Sequence, residues 1–138
     1  PFPWASQIFI DSMEAGSLLG VMERQQRIIG YAVQSTAAGE SQLLNIAIAP
    51  SEQGRGLGRV LLQWLIEQAR NANSEMIFLE VRFSNQTAQS LYESMGFNEI
   101  GMRKAYYRVQ GGKREDALVY ALQLLSDDYF GSVSETIG

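Results

Sequence analysis

The sequence predicts a single α/β domain with a mixed, mostly antiparallel sheet, one central parallel pair of strands and flanking helices. Residues 43–49 form an apolar run of strand length that Pro50 ends, and residues 57–70 repeat apolar side chains at helical spacing after a glycine-rich loop. A second apolar run at 76–81 follows this unit, and a right-handed crossover makes the two strands parallel. The other strands are joined by short turns, which is the antiparallel pattern.

The segment before the central strand predicts one helix and one hairpin. Trp4 and Ile8 begin a helical spacing that Gly16 ends. Residues 17–24 and 27–35 then predict two strands joined by a tight turn. The first third of the chain is therefore expected to supply the antiparallel strands that lead into the central one.

The segment after the parallel pair predicts a short helix and a closing hairpin. Residues 86–95 place apolar side chains on one face, and Gly96 ends this helix. Residues 98–107 and 116–124 predict two strands, and Gly111-Gly112 supplies the turn between them.

Composition excludes several classes of mechanism. The 138 residues contain no cysteine and no histidine, which removes zinc–thiolate sites, acyl-cysteine intermediates and Ser-His-Asp triads. The net charge is −4 without a basic stripe, so nucleic acid is not expected as a partner. No apolar run is long enough to span a membrane and no secretory signal is visible, so we expect a cytoplasmic protein.

The glycine-rich loop predicts a phosphate site. Its sequence, residues 53–59, is QGRGLGR, and it stands directly before the predicted helix. The first N–H groups of a helix have no partner within it, glycines leave them open, and the helix dipole attracts anions. Arg55 and Arg59 add positive charge. The alternative is an ordinary strand-to-helix turn whose glycines only permit close packing. The loop fits neither the Walker nor the dinucleotide pattern.

Five further residues each have a chemical and a structural interpretation. Glu80 interrupts an apolar strand; it either faces solvent, pairs with Arg82 or another cation, or lies in a crevice where burial favours a general base. Tyr92 is either a core tyrosine or a proton donor. Asn85 is either a helix cap or a ligand contact. Tyr106-Tyr107 either pack on the sheet or form a wall for a substrate.

Together these segments resemble the GNAT superfamily of N-acetyltransferases, and within it the ribosomal-protein-alanine N-acetyltransferases of the RimI family. Gln53, Gly56 and Gly58 meet the Q/R-x-x-G-x-G/A pattern of the superfamily's acetyl-CoA loop. The more specific likeness lies in longer runs, which cover most of residues 1–124. These runs are NIAIAP (45–50), LEVRFSN (79–85), LYESMGFNE (91–99), YY (106–107), REDA (114–117) and the early FPW (2–4).

The resemblance implies acetyl-CoA as co-substrate, no metal, and direct acetyl transfer in a ternary complex. The implied acceptor is a protein N-terminal amine, namely the N-terminal alanine of a small-subunit ribosomal protein. Glu80 stands at the position of the family's general base and Tyr92 at that of the acid that protonates the CoA thiolate. The implied cofactor-binding residues are Ile46, Ala47, Ile48, Gln53, Gly54, Arg55, Gly56, Leu57, Gly58, Arg59 and Asn85.

The predicted organisation is an acetyltransferase domain over residues 1–125 and an acidic tail over residues 126–138. Family members have a further strand and helix before the Phe-Pro-Trp segment, and the domain is expected to lack them. Two alternatives stay open at this point. One is a GNAT enzyme that acetylates lysine or a small-molecule amine. The other is a non-catalytic module that binds CoA or a partner.

Overall fold

The computed structural model describes residues 6–108 and 114–124, which form one seven-stranded sheet with two α-helices. The elements are β1 Ser6–Glu14, β2 Ser17–Arg24, β3 Arg27–Ala37, β4 Glu40–Ile48, α1 Leu57–Asn71, β5 Met76–Arg82, α2 Gln86–Ser94, β6 Asn98–Arg108 and β7 Arg114–Gln123. The sheet order is β1-β2-β3-β4-β5-β7-β6, and all neighbours are antiparallel except the β4–β5 pair.

The predicted mixed sheet with its central parallel pair is confirmed, and the β2–β3 hairpin lies where the sequence placed it. Its turn residues Gln25 and Gln26 have φ angles of 53° and 64°. Two consecutive left-handed residues match the right-handed twist of the two strands that they join.

The predicted N-terminal helix is wrong over the residues that the structure describes. β1 is a strand that pairs with β2, from Ser6 opposite Arg24 to Glu14 opposite Ser17. The consecutive residues Ile8, Phe9 and Ile10 favour a strand, and the open edge of β2 offers them a complete ladder of hydrogen bonds. Helical spacing over a few apolar residues does not outweigh that gain.

The parallel pair is joined for less than half of the length of β4. The ladder runs from Glu40 opposite Met76 to Leu43 opposite Leu79. The register between β3 and β4 then shifts around Leu44, which forms a bulge. Beyond it β4 pairs with β3 alone among the described strands, so β4 and β5 diverge. The predicted pairing of residues 43–49 with 76–81 therefore has the right direction, but the observed ladder uses residues 40–43 of β4 and meets the predicted segment only at Leu43.

Both helices pack on one face of the sheet. Ile77, Leu79 and Val81 of β5 are buried beneath them, and Tyr120 of β7 lies opposite Leu79. Because side chains alternate along a strand, Glu80 faces the opposite side of the sheet. The buried side chains of α1 that complete this core are Leu57, Leu61, Leu62, Leu65, Ile66 and Ala69.

The closing hairpin is found as β6 and β7, while several predicted features lie outside the described residues. These are the Gly111-Gly112 turn, the Phe2-Pro3-Trp4 segment and the tail over residues 126–138. Among the described residues, no helix is long and apolar enough to cross a membrane, and no cluster of acidic side chains is arranged to hold a metal ion.

Candidate active site

The glycine-rich loop leaves the first turn of α1 open. Gly54 and Gly56 have φ angles of 81° and 77°, and Gly56 is the N-cap of α1 without a side-chain hydrogen bond. A Cβ atom at either glycine would meet no other atom within 4 Å. The space beside Gly54 and Gly56 is therefore uncrowded. The first N–H groups of a helix have no partner within it, so an uncrowded helix start of this kind suits a bound phosphate.

Contacts to β4 and β2 hold the loop in place. The side-chain amide of Gln53 donates a hydrogen bond of 3.0 Å to the backbone carbonyl of Ile48. Arg24, the last residue of β2, forms an ion pair with Glu52, and Arg55 approaches the same carboxylate at 3.7 Å. The loop's own polar side chains thus brace its backbone, and the backbone N–H groups remain available.

A cleft of about 680 Å³ lies in front of this loop, and we call it the loop cleft. It brings together all the predicted cofactor-binding residues except Arg55, whose guanidinium is directed at Glu52. The sequence did not single out four of its residues as site residues. One is Glu52, directly before the loop, and the other three are Thr87, Ala88 and Leu91 of α2, for which the spacing along one helix face was the available signal. The full lining is Ile46, Ala47, Ile48, Glu52, Gln53, Gly54, Gly56, Leu57, Gly58, Arg59, Asn85, Thr87, Ala88, Leu91 and Tyr92.

The side chain of Arg59 joins the two helices across the cleft. Its guanidinium donates a 2.7 Å hydrogen bond to the Ser94 hydroxyl and lies 3.1 Å from the sulfur of Met95. This contact fixes the end of α2 against the start of α1. A positive charge therefore stands at the mouth of the cleft, beside the open N–H groups.

Asn85 is a helix cap, which is one of the two interpretations that the sequence allowed, and it also lines the loop cleft. Its side-chain oxygen accepts a 3.1 Å hydrogen bond from the backbone N–H of Ala88 and caps α2. Glu115 of β7 holds the loop that carries Asn85, because its carboxylate accepts hydrogen bonds from Ser84. These bonds lower the pKa of the Glu115 carboxyl below its usual value; the bond from the Ser84 hydroxyl has the larger effect and the bond from its backbone N–H the smaller.

Tyr92 is buried among aromatic rings at the inner end of the loop cleft. Its ring lies 5.8 Å from that of Phe97 and 6.2 Å from that of Tyr120. The Tyr120 hydroxyl donates a 2.8 Å hydrogen bond to Glu93. Burial, with this hydrogen bond to Glu93, raises the pKa of Tyr120 to about 12. Tyr120 therefore stays protonated near neutral pH.

Glu80 has a cationic partner that the sequence did not identify. Arg103, from β6, donates a 2.9 Å hydrogen bond to Oε2 of Glu80. The guanidinium carbon of Arg103 lies 3.9 Å from the centre of the Tyr106 ring. Among the open alternatives for Glu80, the pairing with a cation is therefore realised. Tyr106 covers that cation, and its ring remains partly exposed.

A second cleft, of about 370 Å³, lies where β4 and β5 diverge, and we call it the strand slit. It passes between the two strands, so it connects the helix side of the sheet with the face that carries Glu80. Ile46, Asn85 and Tyr92 line both the strand slit and the loop cleft. The full lining of the slit is Leu43, Leu44, Asn45, Ile46, Leu79, Glu80, Val81, Arg82, Asn85 and Tyr92.

Comparisons with known proteins agree with this geometry. The sequence model of the acetyltransferase (GNAT) family matches residues 2–97. The ribosomal protein bS18-alanine N-acetyltransferase of Haemophilus ducreyi is 38% identical over 122 residues, which are 88% of this chain and 84% of that protein.

Two solved structures have a similar fold. The ribosomal-protein-S18-alanine N-acetyltransferase from Escherichia coli aligns with a TM-score of 0.76 and 38% identity, over 80% of this chain and 71% of that one. A GNAT family acetyltransferase from Elizabethkingia anophelis with acetyl-CoA bound aligns with a TM-score of 0.77, over 88% of this chain and 100% of that one. Its identity is 18%, so this second likeness concerns the fold alone.

Proposed function

This chain belongs to the acetyltransferase (GNAT) family and is an acetyl-CoA-dependent N-acetyltransferase, and we propose that its acceptor is the α-amine at the N-terminus of a protein. The specific acceptor that we propose is the N-terminal alanine of a small-subunit ribosomal protein, because the Haemophilus ducreyi and Escherichia coli relatives carry that activity in their names. With such an acceptor, we propose that the enzyme acts in the cytoplasm.

One observation carries the proposal, namely that the loop cleft and the strand slit meet at Tyr92. The cleft offers open N–H groups to a phosphate on the helix side, and the slit has the Glu80 carboxylate on the other face. A thioester that passes between β4 and β5, where the two strands diverge, would thus have its sulfur near the Tyr92 hydroxyl. An amine that approaches along the slit would meet a carboxylate.

Acetyl-CoA fits the loop cleft by its chemistry. Its pyrophosphate would accept hydrogen bonds from the N–H groups of residues 54–59, with Arg59 beside them. Its pantetheine arm would run along Ile46, Ala47 and Ile48, where β4 has no partner strand on the β5 side among the described residues. Backbone N–H groups on this free edge would stabilise the oxyanion that forms during transfer.

The transfer needs no nucleophile from the enzyme, and this suits a chain without cysteine. The amine nitrogen attacks the thioester carbonyl carbon, a C–N bond forms, and the C–S bond breaks as the tetrahedral intermediate collapses. The amine proton passes through water to Glu80, which then releases it to solvent. The Tyr92 hydroxyl gives its proton to the departing thiolate, and the phenolate recovers a proton from solvent.

An α-amine suits this carboxylate better than a lysine side chain does. Its reference pKa is about 7.7–8.0, against about 10.4 for lysine, so a larger fraction is neutral and nucleophilic near neutral pH. A smaller fraction of the α-amine is protonated, so a carboxylate that acts through water needs to deprotonate fewer of the acceptor molecules. This argument favours an N-terminal acceptor over the lysine alternative.

The test is acetyl transfer to two matched peptides, with both CoA release and peptide mass as readouts. One peptide begins with alanine and contains no lysine. The other differs from it in two ways only: its N-terminus is blocked, and one internal residue is replaced by lysine. We expect acetylation of the first peptide only. Acetylation of the blocked peptide alone would instead support a lysine acceptor. Binding of acetyl-CoA without turnover of either peptide or of small amines would support the non-catalytic module.

A further inference from the structure

We propose that Arg103 occupies the place of the acceptor's ammonium group in the acceptor-free enzyme, so that an incoming amine must displace this guanidinium from Glu80. This inference rests on the proposed function, because it takes Glu80 as the group that meets the amine. It adds a residue that competes with the acceptor for its binding position.

The register of three strands brings Arg103 to Glu80. Glu80 of β5 lies opposite Val119 of β7, and Val119 lies opposite Gly101 of β6. Arg103 is two residues beyond Gly101, so its side chain is on the same face of the sheet. It reaches back across about two strand spacings, roughly 10 Å in all, to place Nη1 at 2.9 Å from Oε2 of Glu80.

A bulge in β6 places an aromatic ring over the same guanidinium. The register shifts between Arg103 and Tyr107, so extra residues of β6 stand opposite β7. Ala105 within the bulge has a φ angle of 51°, and its N–H donates a 2.8 Å hydrogen bond to Asp116. The ring of Tyr106 thereby lies 3.9 Å from the Arg103 guanidinium carbon.

A carboxylate on one side and a ring face on the other form a binding position for any cation of ammonium type. The hydrogen bond to Glu80 raises the pKa of Arg103 further, so the guanidinium holds its charge throughout the working range. It therefore neither donates nor accepts the protons of the reaction. Its role at this position is to occupy space and charge that a protonated α-amine would otherwise take.

Exposure identifies which partner moves. The Arg103 side chain is 53% exposed, while that of Glu80 is 17% exposed. Glu80 is held within the sheet between β4 and β7, whereas Arg103 extends from the edge strand β6. An acceptor can therefore turn the arginine outward without moving the carboxylate.

The test compares Arg103→Gln with the wild type and with Arg70→Gln, a charge-matched control at the exposed end of α1. Calorimetry measures the dissociation constant of an alanine-initiated peptide for each protein saturated with CoA, which cannot donate an acetyl group. We expect Arg103→Gln to bind the peptide about two- to tenfold more tightly, the range for loss of an exposed ion pair and a cation–π contact. Arg70→Gln should bind as the wild type does.

Peptide affinity that is equal or weaker in Arg103→Gln, or no peptide binding to either protein, would overturn the inference. Steady-state kinetics separate it from a positioning role: competition predicts a lower KM for the peptide with kcat retained, and a positioning role predicts a lower kcat with a shifted pH profile. The proposed function is judged separately, by wild-type turnover. Turnover without the affinity gain would leave the function standing, and the affinity gain without turnover would leave the Arg103 position standing.

Discussion

The two ends of the proposed site are built in different ways. The loop cleft is lined mostly by short consecutive runs of β4, the loop and α1, and the groups that we propose for donor binding there are backbone N–H groups. The Glu80 end combines β5, β6 and β7, and its active groups are charged and aromatic side chains. The first end depends on backbone conformation and the second on sheet register.

This difference decides how each end can fail. A backbone site loses its ligand when a Cβ atom intrudes or when the loop conformation changes. A site made by side chains loses its catalytic activity when one functional group is substituted, even though the backbone conformation is unchanged. Substitutions at the two ends should therefore separate donor binding from acceptor chemistry.

The largest expected effect is at the side-chain end, in Glu80→Gln. Removal of a general base should lower kcat by about 100-fold to 10,000-fold, while the Kd for acetyl-CoA stays close to that of the wild type. Glu40→Gln, at the exposed start of β4, is the charge-matched control and should retain full activity. Steady-state kinetics with CoA titrations check both. If Glu80→Gln instead lost CoA affinity with its fold intact, the role given to Glu80 would be wrong.

Tyr92→Phe probes the junction of the two ends and should reduce kcat by about tenfold or more, because the thiolate loses its proton donor. The buried ring and its contacts remain, so the KM for acetyl-CoA should hold. Tyr120→Phe is the matched control, since its ring lies 6.2 Å from that of Tyr92 and its hydroxyl bonds to Glu93 instead. An unchanged rate in Tyr92→Phe would refute the acid role.

At the backbone end, Gly56→Ala should weaken acetyl-CoA binding by about tenfold, because its methyl group enters the space before the helix N–H groups. Gly39→Ala in the β3–β4 turn is a close control. Its φ angle of 82° resembles the 77° of Gly56, and its Cβ atom would also meet no neighbour within 4 Å. Both variants should lose about 1 kcal/mol of unfolding free energy from left-handed strain. Equal CoA affinities in the two variants would contradict the phosphate site.

The smallest expected effect is on the pH dependence of stability. It comes from Tyr120, which is buried on the helix side of the sheet and has no proposed role at the loop cleft or at Glu80. Its pKa of about 12 lies above the ordinary 10.0, so folding favours the protonated phenol. That contribution to stability is complete below pH 10 and is lost as the pH rises toward 12. Denaturant titrations between pH 10 and 12 should show that the free energy of unfolding falls as the pH rises. In Tyr120→Phe this fall should be smaller. The same fall in both proteins would contradict the burial of this hydroxyl.

The same contrast explains what the sequence could predict. The part of the loop cleft formed by residues 46–48 and 53–59 was predictable, because these residues are close in the chain and Gly54 and Gly56 stand where left-handed φ angles occur. Arg103 was not, because it lies 23 residues from Glu80 and meets it only through the register of β5, β7 and β6. Single-residue patterns also could not show that Gln53 would brace the loop by bonding the Ile48 carbonyl.

The fold was predictable for similar reasons, with two exceptions, β1 and the extent of the β4–β5 ladder. Strands and helices with strong periodicity, such as α1 and β5, were found within a residue or two of their predicted ends. The segment now seen as β1 was predicted as a helix, because its apolar residues fit both periods and the edge of β2 decided between them. The bulge at Leu44, which opens the strand slit, could not be predicted from the hydrophobic pattern of the neighbouring residues.

The most direct test of the account is the crystal structure of the enzyme with a bisubstrate analogue, in which CoA sulfur is joined through an acetyl linker to the α-nitrogen of an alanine-initiated peptide. We expect the pyrophosphate on the N–H groups of residues 54–59, the sulfur beside the Tyr92 hydroxyl, and the peptide nitrogen in the strand slit near Glu80. We also expect Arg103 to have turned away from that carboxylate. A peptide arm that leaves on the helix side, with its nitrogen remote from Glu80, would contradict the proposed site.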